Sequence, residues 1–268
     1  MSIAPFVKRV RPASLGPRLT DALGDIAPRL EPYFQPAQHP WPSAARTTAG
    51  ASLPLADLAF ALSGLELDAL LPRALQNAVR HRQIAWIGGR LCAERALDRA
   101  GAPGQAVPRG DHGEPVWPAG VAGSITHTDI TAHALVTRRA DGAGLGIDSE
   151  HLVDADAQRA IAHVCCSPRE RARWLEGIDS RLRTTLLFAA KEAIYKAAWP
   201  AVHRFIDFDE ATALDWNDPA ATIEFRLGPA LADACAVAHY RIDEPGQAVH
   251  ACVSLDEALI ARLKALRS

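Results

Sequence analysis

No run in the 268 residues is long and apolar enough to span a bilayer, and the opening "MSIAPFVKRVRPASLGPRL" is broken by prolines and charges before a signal-length apolar core can form. Neither membrane insertion nor secretion is expected. An excess of charge of one sign is also missing: 29 Lys and Arg stand against 31 Asp and Glu, a formal net charge of -2. Nothing in the whole-chain field therefore calls for nucleic acid or a membrane surface as partner, and any anion site must be local. Cysteine is sparse. Cys92, Cys165, Cys166, Cys235 and Cys252 are odd in number and lack the paired spacing of a zinc site or the density of a disulfide scaffold, which predicts reduced thiols in a cytoplasmic protein. Two nucleotide signatures are absent as well. There is no P-loop sequence, and the glycines of "DGAGLGID" (Gly142, Gly144, Gly146) precede a strand, where a dinucleotide fingerprint needs them to follow one and open a helix.

The chain does have 49% hydrophobic and 22% charged residues, enough for a substantial core in one large domain or two packed halves. Residues 1–60, rich in Pro, Ala and Gly, predict an irregular lead-in. In "LLPRALQNAVRHRQIAWIGGRLCAERALDRAG", Leu75, Val79, Ile84, Ile87, Leu91 and Leu97 recur at near-helical spacing, so one long helix, or two meeting at Gly88 and Gly89, should end at Gly101. The runs "SITH", "TAHALVT" and "LGIDSEH" alternate like a strand meander, with Asp141 and Gly142 as a hairpin turn. Asp156 to Trp199 is helical in pattern and closed by Pro200. Three strand-like runs follow, "ATIEFRL", "AHYRI" and "HACVSL", and then an amphipathic helix around Leu259, Leu263 and Leu266.

Chemistry concentrates in three places. Asp148 and Glu150 of "GIDSEHL" sit at i and i+2 of a strand and share a face. They are either solvated acids at a strand end, one of them capping the next helix, or part of a site for a hard oxygen-ligated ion such as Mg²⁺, which needs a third ligand. Glu192 in "LLFAAKEAIYKAAWP" would supply it, one helical turn from Lys196 and beside Lys191 and Tyr195. That pair is either an ordinary surface ion pair or, in so apolar a helix, the lining of a cleft. "GSITHT" places His127 beside the hydroxyl of Thr126, and the upstream helix offers Arg80, Arg82 and Arg90 to an anion. A carboxylate site next to histidine, lysine and arginine describes a phosphate ester held by metal and cations together.

At these motifs the chain resembles the Sfp-type 4′-phosphopantetheinyl transferases, in particular the branch serving siderophore and polyketide synthesis. The likeness runs in order through "AVRHRQIAWIGGRLCAERAL", "GDHGEPVWPAGVAGSITHT", "GIDSEHL", "FAAKEAIYKAAWP" and "FIDFDEA". It implies an α+β fold of two similar α+β halves, over residues 61–140 and 141–268, packed in a pseudo-twofold arrangement with the active site at their interface and the metal site in the second half. It implies transfer of the phosphopantetheine arm of coenzyme A to a serine of an acyl or peptidyl carrier protein, releasing adenosine 3′,5′-bisphosphate. Asp148, Glu150 and Glu192 would hold Mg²⁺, Glu192 would also act as base, and Lys196 would steady the phosphates. Arg82, Arg90, His112, Gly113, Glu114, Pro115, Thr126, His127, Asp148, Lys191 and Lys196 match positions that surround coenzyme A in the family. Thr126 stands where serine is frequent, and His112 where lysine often occurs.

In-line attack on a pyrophosphate phosphorus needs no covalent enzyme intermediate, and no serine or cysteine stands in the setting of a nucleophile. The carrier in this family presents an acidic helix, for which Arg169, Arg171, Arg173, Arg181 and Arg183 of "SPRERARWLEGIDSRLR" are the docking candidates. Two halves in one chain make a monomer sufficient. The rivals are a metal-dependent phosphohydrolase using His127, Asp148, Glu150 and His151, and a module that binds coenzyme A without turning it over.

Overall fold

A computed structural model of the chain describes residues 17–37, 39–40, 48–138, 144–177, 179–243 and 247–267. It has two antiparallel sheets, each backed by one long helix, and is therefore an α+β fold of two halves. In the first half β1 (Ala49–Pro54), β2 (Val121–His127) and β3 (Thr131–Arg138) lie in the order β1-β3-β2. In the second, β4 (Gly144–His151), β5 (Ala211–Asn217), β6 (Thr222–Leu227), β7 (Cys235–Ile242) and β8 (Ala248–Leu255) lie in the order β4-β8-β7-β6-β5.

Helices α1 (Leu19–Ala22) and α2 (Ala27–Leu30) are short, and α3 (Leu55–Ala61) and α4 (Arg73–Gln76) lead to α5 (Arg80–Arg99), the spine of the first half. In the second half α6 (Ala155–Cys165) and α7 (Pro168–Trp174) precede the spine α8 (Ser180–Val202), and α9 (Glu257–Ala265) is the last described helix. Asp154 caps α6, and Ser167 with Glu170 forms a capping box on α7, so sequence-local signals fix both starts.

Strand alternation sorts the side chains between three apolar clusters. Ala132, Ala134 and Val136 of β3 pack with Ile84, Ile87, Leu91 and other residues of α5, while Leu135 points the other way. Leu135 and Ala122 meet Leu145, Ile147 and Cys252 of the second sheet in a small seam between the halves. The largest cluster lies beyond, where Ala193, Ile194, Ala197 and Ala201 of α8 cover Phe225, Val249, Ala251 and Val253. Burying such side chains supplies roughly 25 cal/mol per Å² of apolar surface.

Two glycines set the spacing. A Cβ on Gly88 would lie 2.9 Å from Leu55 Cδ2, so the glycine sits inside a continuous α5, where it lets α3 approach, and does not divide two helices. A Cβ on Gly146 would lie 1.8 Å from the carbonyl oxygen of Ala193, so only glycine allows β4 to lie against the backbone of α8.

Several expectations change. The three strands do not form one meander: β2 and β3 pair, but β4 leaves for the second sheet and pairs with β8. Asp141 and Gly142, expected as a hairpin turn, lie outside the described residues. Pro200 does not close α8, which runs on to Val202 and stops at His203 in the left-handed region (φ 47). A proline so near the end forfeits one backbone bond where few remain to lose. The stretch expected as an irregular lead-in contains α1, α2, β1 and most of α3. Buried Glu94 of α5 accepts from the backbone nitrogens of Leu19 (2.8 Å) and Thr20 (3.0 Å), which ties α1 to the first half. Strand β5 was not expected at all.

Candidate active site at the seam between the halves

The seam has the edges of β2 and β4 side by side without a backbone ladder between them. Hydroxyls take the place of the missing carbonyls. The backbone nitrogen of Ile147 donates to Ser124 Oγ (3.0 Å) and that of Ser149 to Thr126 Oγ1 (3.2 Å), so the edge amides of β4 are satisfied by side chains of the other half. Thr126 Oγ1 in turn donates to Asp148 Oδ1 at 3.1 Å.

Gly146, Asp148 and Glu150 share the face of β4 turned to α8, and the close approach at Gly146 brings the middle of α8 alongside. Lys196 Nζ reaches Asp148 Oδ1 at 2.6 Å and the carbonyl of Ile147 at 3.2 Å. Asp148 is 3% exposed, and its second oxygen, Oδ2, is buried without a hydrogen-bond partner. Burial raises the pKa of Glu150 to about 8, and the neighbouring Asp148 and Glu192 add to the rise while Lys196 opposes it. Glu192 is raised by burial and then by Asp148, again against Lys196. Asp148 thus stands close enough to both glutamates to raise their charging cost, with one ammonium among the three.

Asp148, Glu150, Glu192, Lys196, Thr126 and His127 are therefore brought together. His127 lies exposed at the end of β2, and its pKa is lowered by desolvation and by Lys196, with Asp148 acting the other way. His112, Glu114 and Pro115 line a slot of about 220 Å³ with Trp117, Tyr195, Lys196 and Trp199. The His112 ring meets Trp199 edge-on at 5.5 Å, and Gly113 takes φ +100 in the turn between His112 and Glu114. Arg82 is exposed on the first turn of α5.

Two residues sit elsewhere. Arg90 is 5% exposed over the Trp86 ring (5.1 Å to its centroid), with Nε and Nη2 unpartnered. Burial, helped by nearby Arg109, lowers its pKa to about 10, and it lines a cavity of about 350 Å³ with Pro17, Leu71, Pro72 and Val107. Lys191, expected at coenzyme A, is instead a buried structural cation. Its Nζ donates to Glu170 (3.0 Å) and to the carbonyls of Cys165 (2.7 Å) and Phe208 (3.1 Å), which uses all three N–H donors. The helical period explains the difference: Glu192 and Lys196 share a face, and Lys191 falls a hundred degrees away from Glu192.

Four of the five docking arginines also bond within the fold, with Arg173 and Arg181 still exposed. Arg171 donates to the carbonyls of Ala162 and Cys166, Arg173 to that of Leu214, Arg181 to that of Val153, and Arg183 to Asp218. Arg169 remains exposed. Three features of the site were not anticipated: Trp117 in the slot, Asp129 near Glu150, and His39 beneath Ser149. The first lay in plain view in "EPVWP", whereas the other two depend on tertiary placement.

Comparison with known proteins matches residues 71–137 to the 4′-phosphopantetheinyl transferase N-terminal domain and residues 144–253 to the 4′-phosphopantetheinyl transferase superfamily. The chain belongs to this family, with one match on each half. It is similar to the 4′-phosphopantetheinyl transferase Npt of Nocardia iowensis, 40% identical over 138 residues (51% of this chain and 61% of that one). It is also similar to the 4′-phosphopantetheinyl transferase PptT of Mycobacterium tuberculosis, 37% identical over 139 residues (51% and 60%). Enterobactin synthase component D of Escherichia coli K12 is 34% identical over 145 residues (53% and 66%). The matched stretch thus spans about three-fifths of the length of the first two relatives.

Proposed function

We propose that this chain transfers the 4′-phosphopantetheine of coenzyme A to a serine hydroxyl of an acyl or peptidyl carrier protein. The observation that carries the reading is the meeting of Asp148, Glu150, Glu192 and Lys196 at the seam, beside a slot lined by His112, Glu114 and Pro115.

The donor set fits a divalent cation. Asp148 Oδ2 is an orphaned buried acceptor, and the burial and neighbouring Asp148 charge that raise Glu150 and Glu192 are what a positive ion would offset. Among the described residues no three His, Cys, Asp or Glu side chains already form a metal-holding group. An ion such as Mg²⁺ takes one or two carboxylates and fills its shell with water and substrate phosphate. When bound, the ion supplies charge stabilisation at the pyrophosphate. Asp148 and Glu150 would hold it, with Glu192 alongside.

The protein's own groups account for the rest. Lys196 presents its ammonium where charge collects on the leaving phosphate, and Thr126 fixes Asp148 by the hydrogen bond to Oδ1. Glu192, less acidic than an ordinary glutamate, accepts the proton of the incoming serine, directly or through a water. The serine oxygen bonds to the phosphorus bearing pantetheine as the bridging P–O bond breaks, and adenosine 3′,5′-bisphosphate leaves with the electron pair. The nucleotide end lodges in the slot beside Trp117 and Trp199, with His127 and Arg82 offered to its phosphates.

The phosphohydrolase rival is disfavoured by one observation. His151 lies on the opposite face of β4 from Asp148 and Glu150, where its Nδ1 meets the carbonyl of Gln247 and its ring lines a different cavity. The test is to incubate the protein with coenzyme A, Mg²⁺ and an apo carrier protein and to weigh the carrier intact. A gain of one phosphopantetheine arm is expected. Release of phosphate with no gain by any carrier would instead favour hydrolysis, and tight coenzyme A binding with neither outcome would favour a binding module.

A further inference from the structure

The face of β4 opposite the carboxylates carries Ser149, which is fully buried in the seam. Its Oγ lies 2.9 Å from His39 Nε2 and 2.9 Å from His250 Nδ1. His133 completes a triangle of imidazoles. The ring centroids are 5.2 Å apart for His39 and His133, 5.2 Å for His39 and His250, and 5.4 Å for His133 and His250, each pair edge-on. All three rings are buried, and they arrive from three separate pieces of chain: the lead-in, β3 of the first sheet and β8 of the second. His39 precedes both stretches matched to the family.

A small apolar cluster and the hydroxyls of Ser124 and Thr126 already join the seam, so cohesion alone does not require imidazoles there. Direction does. A hydroxyl has one proton, so Ser149 donates to one ring and accepts from the other, and the pair fixes its oxygen along two directions where apolar contacts would let the strand slide. Ser149 is also the residue between Asp148 and Glu150, and its backbone nitrogen donates to the same Thr126 hydroxyl that donates to Asp148. A displacement of Ser149 therefore reaches the carboxylates by two short routes.

We infer that His39, Ser149 and His250, braced by His133, form a positioning device that sets Asp148 and Glu150 for the cation, with His39 delivered to it by the lead-in segment. The inference rests on the cation role proposed above.

The test uses the full chain with His39→Ala, His39→Gln and Ser149→Ala. Mn²⁺ binding to the substrate-free protein is followed by electron paramagnetic resonance, alongside the thermal midpoint in metal-free buffer and the Mg²⁺ dependence of transfer. His39→Ala and Ser149→Ala should each weaken Mn²⁺ binding roughly 10-fold and raise half-saturating Mg²⁺ in step, the scale on which groups that orient metal ligands act. The rate at saturating Mg²⁺ should fall much less. His39→Gln, whose amide nitrogen can reach Ser149, should regain most of the affinity. Should Ser149→Ala not fold, His39→Ala carries the test, because it alters a segment outside both sheets. Parental Mn²⁺ affinity in His39→Ala, whatever its thermal midpoint, would overturn the inference, and so would a parental protein that binds no Mn²⁺. A parental protein that binds Mn²⁺ and loses it on His39→Ala, yet modifies no carrier, would defeat the transferase reading and leave this one standing.

Discussion

Two neighbours in the sequence, Lys191 and Glu192, have opposite fates, and the contrast separates what a charged residue does for the fold from what it does at the site. Glu192 faces β4 with its carboxyl raised by burial and by Asp148, in the right range to take a proton. Glu192→Gln should leave coenzyme A affinity nearly intact while transfer falls about 100-fold or more, the usual worth of a positioned base; calorimetry and carrier mass measure the two. Transfer at the parental rate would remove Glu192 from the chemistry. Lys191 is 3% exposed and held against Glu170, which itself accepts from the backbone nitrogen of Ala213 at 2.8 Å. Lys191→Met leaves that carboxylate buried without its cation, and breaking such a pair costs about 3–5 kcal/mol. Urea unfolding should show a loss of that order, with coenzyme A affinity unchanged in the folded fraction. A large loss of affinity at unchanged stability would return Lys191 to the nucleotide.

At the scale of elements, the site exists because β4 and α8 touch backbone to backbone. The point of contact is Gly146, where an added Cβ would strike the Ala193 carbonyl and lie 2.7 Å from the Ala197 nitrogen, atoms that cannot rotate away. Gly146→Ala must push β4 off α8, and overpacking of a close contact costs about 1–3 kcal/mol or more. Separation also parts Asp148 from Lys196, so the variant should lose Mn²⁺ binding beyond what its stability explains; a folded variant with parental affinity would show that the close approach is dispensable. This is also where the sequence was hardest to read. "LGIDSEH" announced a strand with two acids on one face, and "KEAIYK" a helix with Glu192 and Lys196 together, because both follow from local periodicity. Which sheet the strand joins does not. A strand after a turn pairs with its predecessor in a meander, and β4 departs from that rule because its edge amides find the hydroxyls of Ser124 and Thr126. The glycines of "GLG" were expected to precede the strand, whereas Gly144 and Gly146 lie within β4 and their use is contact with α8. Strand β5, with "ATALDWN", has too weak an alternation to stand out, and its pairing with β6 even shifts register between Ala213 and Asp215.

For the whole molecule, the two halves are joined through a seam whose polar centre has a cost that depends on pH. Burial lowers the pKa of His133 to about 3, with His250 and Arg241 adding to the effect. It lowers that of His250 to about 4, where Arg241 and His151 assist and Asp243 and Asp148 oppose. His39 is held well below its usual value by burial and by the other two rings. In the unfolded chain each ionises near its ordinary value of about 6.5. At pH 7.5 all are neutral in both states and cost nothing. As pH falls through 6.5 the unfolded chain takes up protons that the folded one refuses, so stability is lost steadily until the folded pKa values, near 4 and 3, are reached. The slope approaches about 1.4 kcal/mol per pH unit for each such histidine. Glu150, held near 8 in the folded chain, works in the opposite sense and offsets the small histidine loss between pH 7.5 and 6.5, so urea midpoints should decline chiefly from pH 6.5 to 5.5, and His133→Asn, which removes one titrating group, should flatten that decline even if it lowers stability throughout. A midpoint that holds from pH 6.5 to 5.5 would mean that the rings gain protons without parting the halves, and the seam would then have to open to water more readily than its packing implies.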